Sequence, residues 1–73
     1  MPHFAIKLVE GKTEDQKKQL AAAVVKAAKD VIGYNDDAFS VTIEDVSRET
    51  WFSSVYPKDI IAKKEILYKE PGY

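Results

Sequence analysis

The apolar residues change their period twice between Pro2 and Val46, and that change constrains the fold more than any other feature of the chain. From Pro2 to Val9, Phe4, Ile6 and Leu8 alternate with His3, Ala5 and Lys7, which predicts a strand with one apolar face. Glu10-Gly11-Lys12 breaks the alternation, and Thr13-Glu14-Asp15-Gln16 then has the form of a capping box. Leu20, Val24, Ala27, Ala28 and Val31 follow at spacings of three and four, with Lys17, Lys18, Lys26, Lys29 and Asp30 mostly off that stripe. Ala21-Ala22-Ala23 adds helix propensity and permits close approach to a sheet. Gly33 suits the left-handed position after a helix, and Asn35-Asp36-Asp37 reads as a turn. Phe39, Val41 and Ile43 then alternate with Ser40, Thr42 and Glu44, which makes a second strand ending near Val46.

Strand, crossover helix and strand form a βαβ unit, with a right-handed crossover and parallel strands. The expected class is α/β, or α+β in some schemes. One helix cannot cover both faces of a two-stranded sheet, and both edges stay open, so association with another copy through the sheet is the natural remedy. Beyond Val46 the pattern weakens. Ser47 to Thr50 reads as a loop or short helical turn carrying Trp51 and Phe52. A last helix is expected from Pro57 to about Lys69, with Ile60, Ile61, Ile66, Leu67 and Tyr68 toward a core, stopped by Pro71-Gly72. No repeat, linker or low-complexity stretch divides the chain, so residues 1–73 are expected to form one domain.

A core of this size supplies only about 3–5 kcal/mol without a staple. The chain has no cysteine and a single histidine, His3, so disulfides, thiolate metal sites and histidine clusters are out of reach. No metal or cofactor is expected. Asp36-Asp37 and Glu44-Asp45 do not change that, because neighbouring strand residues point to opposite faces and turn acids solvate loops. Eleven Lys and Arg against twelve Asp and Glu give a net charge of −1, too little for a field that holds nucleic acid or an anionic membrane. Apolar runs fall well short of the ~18–20 residues of a membrane span, and Lys7 and Glu10 interrupt what a signal peptide needs. A cytoplasmic protein is expected.

Pro2 offers the most distinctive chemistry. Removal of Met1 turns it into a free secondary amine, and α-amino groups titrate near 7.7–8.0. Burial or a nearby cation lowers such a value, which makes the amine a usable general base near neutrality.

Pro2, the first strand, the turn, the helix and the second strand ending in Ile43-Glu44-Asp45-Val46 together resemble the 4-oxalocrotonate tautomerase family. Leu8-Val9-Glu10-Gly11-Lys12-Thr13-Glu14-Asp15-Gln16-Lys17 is similar to that family's Leu-Glu-Gly-Arg-Ser/Thr-x-Glu-Gln-Lys segment, and Trp51 falls where members carry an aromatic residue near the site. The resemblance implies a β-α-β protomer that assembles through its sheets. It also implies that Pro2 takes the enol proton and redelivers it to carbon, giving the α,β-unsaturated ketone, while donors hold the developing oxyanion. Two arginines bind the dicarboxylate in hexameric members, and the matching positions here hold Lys12 and Ser40. Lysine keeps the charge without the bidentate fork, and serine keeps only a hydroxyl.

That departure turns the expectation toward a monocarboxylate, such as the enol of an aryl pyruvate. Arg48 is a candidate replacement clamp, Trp51 a pocket wall, and Lys12 and Ser40 further contacts to substrate. His3 is expected to be satisfied by backbone or water. The longer segment from Val55 to Tyr73 resembles the slightly longer dimeric branch, so a homodimer is preferred over a hexamer. Two alternatives stay open: a non-catalytic dimeric binding module on the same scaffold, and a hydratase or dehalogenase of unsaturated acids.

Overall fold

The computed structural model describes residues 1–73. β1 (His3–Val9) and β2 (Ser40–Val46) pair in parallel, in register from His3 opposite Ser40 to Val9 opposite Val46. This register puts Phe4, Ile6 and Leu8 on one face with Val41, Ile43 and Asp45. His3, Ala5, Lys7 and Val9 share the other face with Ser40, Thr42, Glu44 and Val46.

α1 (Glu14–Ile32) crosses between the strands and starts at the capping box. Thr13 Oγ1 accepts from the Gln16 amide at 3.0 Å, and the Gln16 side chain accepts from the Thr13 amide at 2.9 Å. Glu14 and Asp15 place negative charge where the helix dipole favours it. Gly33 closes the helix at φ 82°, a left-handed conformation that costs a side-chain-free residue nothing. The half-buried positions of α1 are Lys17, Leu20, Ala21, Val24, Val25 and Ala28. The stripe is therefore rotated toward Ala21 and Val25, and Ala27 and Val31, expected inside it, are exposed. Length explains Val31: a helix of 19 residues runs about 28 Å, while a strand of seven runs about 23 Å, so the last turn projects past the sheet. Val31 is 82% exposed as a result. Lys17 ties α1 to β2 through Asp45 at 2.6 Å, and that partner raises the lysine's pKa.

The other face is covered by a segment that departs from the expectation. No helix starts at Pro57. Ser47 caps a helix from its side-chain oxygen, which accepts from the Thr50 amide at 3.0 Å. α2 (Arg48–Thr50) runs directly into wider π-helical turns over Trp51–Ile60 and tight 3-10 turns over Ile61–Ile66. The helical path thus begins at Arg48 and ends at Ile66, short of Lys69. Pro57 lies inside it, with no N–H to donate and a ring that crowds the preceding turn, and the wider winding accommodates both demands. Val55 points toward β1 beside Ala5 and Lys7, and Lys7 Nζ meets Asp59 at 2.5 Å.

The resulting β-α-β protomer has parallel strands and a helical C-terminal segment, as the class expectation had it. Only Val46 and Val55 are buried, at 8% and 5% exposure. The exposed area is 5846 Å², whereas a monomer of 8.2 kDa exposes about 4,500 Å². No helix is long and apolar enough to cross a membrane.

Candidate active site

Parallel pairing places the sequence-derived candidates in separate parts of the protomer. Pro2 is half-buried at the entrance to β1, and its carbonyl accepts from the Ser40 amide at 3.2 Å. Ser40 Oγ and His3 Nδ1 are hydrogen-bonded at 2.7 Å. His3 is thus satisfied by a side chain, where backbone or water had been expected. Met1 is fully exposed, and while it remains the Pro2 nitrogen is an amide without basicity.

Arg48 and Trp51 follow the far end of β2. Seven strand steps separate Pro2 from Val9, about 23 Å, and Val9 pairs with Val46 just before this helix. Val9, Arg48, Trp51, Phe52 and Tyr73 line a cavity of about 350 Å³. The Arg48 guanidinium lies 6.0 Å from the Phe52 ring centre, a cation–π contact. Trp51 Nε1 donates to Tyr73 Oη at 3.1 Å. Tyr73 meets the Phe52 ring edge-on with centres 6.2 Å apart and Tyr56 at 5.7 Å, while Phe52 and Tyr56 are 6.3 Å apart. Arg48 is the chain's one arginine and enters no ion pair.

Trp51 also lines a second cavity, about 360 Å³, with Ala5, Lys7, Val55, Asp59, Ile60 and Lys63. Its one carboxylate, Asp59, is shared between Lys7 at 2.5 Å and Lys63 at 3.9 Å. The hydrogen bond between Lys7 and Asp59 holds the lysine above its ordinary pKa and the carboxyl below its own. Lys12 stands apart in the turn after β1, beside Leu8, Gln16, Lys17 and Leu20 on the α1 side. The largest depression, about 610 Å³, is an open groove along α1 and β2 near Ala21, Val25 and Val41, and it holds none of the candidates.

The structure therefore joins Ser40 to Pro2 and Arg48 to Trp51, and leaves Lys12 with neither pair. Phe52, a wall residue, and Tyr56, which packs on Phe52 and Tyr73, escape sequence reasoning because Ser47–Thr50 reads as a loop or a short helical turn, with no helix carried on from it. The Ser47 cap, three residues before Thr50, is the signal that would have extended a helix through both rings. Nothing local marks Tyr73, whose position depends on how the chain returns after Ile66.

A family model described as "Tautomerase enzyme" matches residues 2–59. The chain belongs to the tautomerase family. A relative named a probable tautomerase, from Xylella fastidiosa, is 40% identical over 73 residues, covering 100% of this chain and 89% of its own. Tautomerase PptA of Pectobacterium carotovorum is 31% identical over 74 residues, covering 100% of this chain and 97% of its own. A Bacillus subtilis protein named 2-hydroxymuconate tautomerase is 33% identical over 49 residues, 67% of this chain and 79% of its own. The protein is accordingly a tautomerase, an isomerase, and the resemblance carried by Pro2 and the Leu8 to Lys17 segment is to its own family. The family model stops before Ile60, so the part of this tautomerase that returns Tyr73 to the Arg48 cavity lies beyond the matched residues.

Proposed function

We propose that this tautomerase moves a proton between oxygen and carbon of a small enolpyruvate-type or 2-hydroxydienoate acid, with Pro2, freed of Met1, as the general base. The observation that carries the reading is the lone unpaired arginine at an aromatic cavity, a place for one carboxylate beside an unsaturated or aryl chain. Neutral Pro2 takes the enol O–H proton, the C=C electrons close onto carbon as the C=O forms, and the prolinium returns the proton to that carbon. Ser40 fixes the Pro2 carbonyl and thereby the direction of the amine.

About 23 Å separates Pro2 from the end of β1 that borders Arg48, too far for one small acid to span. A complete site therefore takes Pro2 from one copy and Arg48 from another. Two further observations support association: the two-stranded sheet leaves both outer edges unpaired, and the protomer exposes roughly 1,300 Å² more than a monomer of its mass. That excess exceeds the ~800 Å² each partner gives a standard interface. A homodimer is the preferred assembly.

The test uses enol ketonisation followed by ultraviolet absorbance on protein whose processed N-terminus is verified by intact mass. Pro2→Ala should lower kcat by about 10²–10⁴ with the circular dichroism spectrum unchanged. Arg48→Ala should raise KM. At substrate far below KM, where each variant alone is weak, refolding the two together should restore about a quarter of the wild-type activity, because half the random pairs are mixed and hold one intact site of two. An active Pro2→Ala protein overturns the base assignment, and absence of complementation overturns the shared site.

A further inference from the structure

We infer that Tyr73 determines substrate specificity by giving the Arg48 cavity a wall that accepts an aryl ring and refuses a second carboxylate. The inference rests on the reading of that cavity as the acid-binding half of the site. Tyr73 is held by three independent contacts, the hydrogen bond from Trp51 at 3.1 Å and the ring contacts with Phe52 at 6.2 Å and Tyr56 at 5.7 Å. Those contacts fix its ring while leaving it 61% exposed, and Phe52 beside it is 52% exposed. Two anchored rings with accessible faces, Trp51 adjacent and the aliphatic Val9 completing the lining make a stacking surface.

Charge decides against a dicarboxylate. Arg48 is the single cation among the five lining residues, so one carboxylate is matched there. A second carboxylate would meet the negative faces of the rings and lose its hydration without a partner. Lys7 and Lys63 line the other cavity that Trp51 borders, and both face Asp59, at 2.5 and 3.9 Å. A volume of about 350 Å³ lies at the small end of ligand pockets, suited to an acid with one ring.

The test reads binding separately from turnover. Trp51 is the one tryptophan, so its fluorescence reports on the cavity directly. The full chain is titrated with 3-phenylpropanoate, an unreactive aryl monocarboxylate, and with adipate, an aliphatic dicarboxylate. The wild type should bind the aryl acid at least about tenfold more tightly, and Tyr73→Ala should weaken that binding about five- to tenfold while moving adipate less than about twofold. Tyr73→Phe keeps the ring and should keep the preference. Tyr73→Leu keeps apolar bulk without the ring and should lose it, which guards against a truncation that merely loosens the chain. No aryl preference in the wild type, or equal weakening of both ligands in Tyr73→Leu, overturns the inference. Wild-type protein that shows the preference but ketonises no enol acid would instead sink the proposed reaction and leave the role of Tyr73 standing.

Discussion

Val55→Ala tests whether the helical segment after β2 is docked as firmly as its burial indicates. Val55 is 5% exposed and is, with Val46, one of two buried side chains in the protomer. The substitution removes two carbons, worth about 1.6 kcal/mol at roughly 0.8 kcal/mol per buried methylene. A residual void normally adds to that loss. Val55 already borders the cavity of about 360 Å³, so neighbouring groups and water can move into part of the space and the added term stays small. The expected loss is about 1.5–2.5 kcal/mol, a large fraction of the ~3–5 kcal/mol a core of this size supplies. Urea unfolding followed by circular dichroism at fixed protein concentration measures it as a lower midpoint with an unchanged slope. Trp51 precedes Val55 by one helical turn, so its emission should shift red in the folded variant. A loss below about 0.5 kcal/mol, the range of ordinary surface substitutions, would refute the docked arrangement.

Val31→Ser provides the contrasting case. At 82% exposure it should cost an isolated protomer less than about 0.5 kcal/mol, whereas coverage by a second copy makes its cost grow with protein concentration in the same urea assay. The Lys7–Asp59 pair should make stability depend on pH at both ends. Asp59, whose pKa is lowered by Lys7, contributes stability above the ordinary carboxylate range and loses it as pH falls through its depressed value. Lys7, whose pKa is raised, contributes below the ordinary lysine value and loses it as pH rises through its elevated one. Asp59→Asn should therefore lower the urea midpoint at pH 7, with the difference from wild type shrinking between pH 5 and 2.5; a constant difference would count against the pair. Thr13→Ala removes one side of the capping box and should destabilise by about 1 kcal/mol, with the loss visible in thermal melts and absent from a Thr13→Ser control. Ser40→Ala breaks the hydrogen bond to His3 without touching the backbone bond to Pro2, so kcat should fall only a few-fold; a loss as large as that of Pro2→Ala would assign Ser40 a direct part in the chemistry.

Most of the β-α-β half is legible in the sequence. The alternation of Phe4, Ile6 and Leu8, the Thr13 to Gln16 box and Gly33 act over one to four residues, and each produces the element its pattern announced. The C-terminal third was not, because its helix is set by a single serine cap and a winding that accommodates Pro57, neither of which leaves a periodic stripe. The reading of Val31 as core failed for a related reason: a helical stripe reports direction around the axis and says nothing of where the sheet beneath it ends.

The candidate site divides along the same line. Pro2, Arg48 and Trp51 stand out from residue type and from the family likeness, since a potential amine base, a lone guanidinium and an indole carry their chemistry wherever they fall. Where they fall was a matter of packing. Parallel pairing sends Pro2 and Arg48 to opposite ends of the sheet, and the return of the chain after Ile66 brings Tyr73 to Trp51 across 22 positions. Contacts of that kind depend on the relative placement of whole elements, to which patterns among near neighbours are blind. Local chemistry thus specified the parts of this tautomerase, and long-range packing set Pro2 and Arg48 at opposite ends of the paired strands.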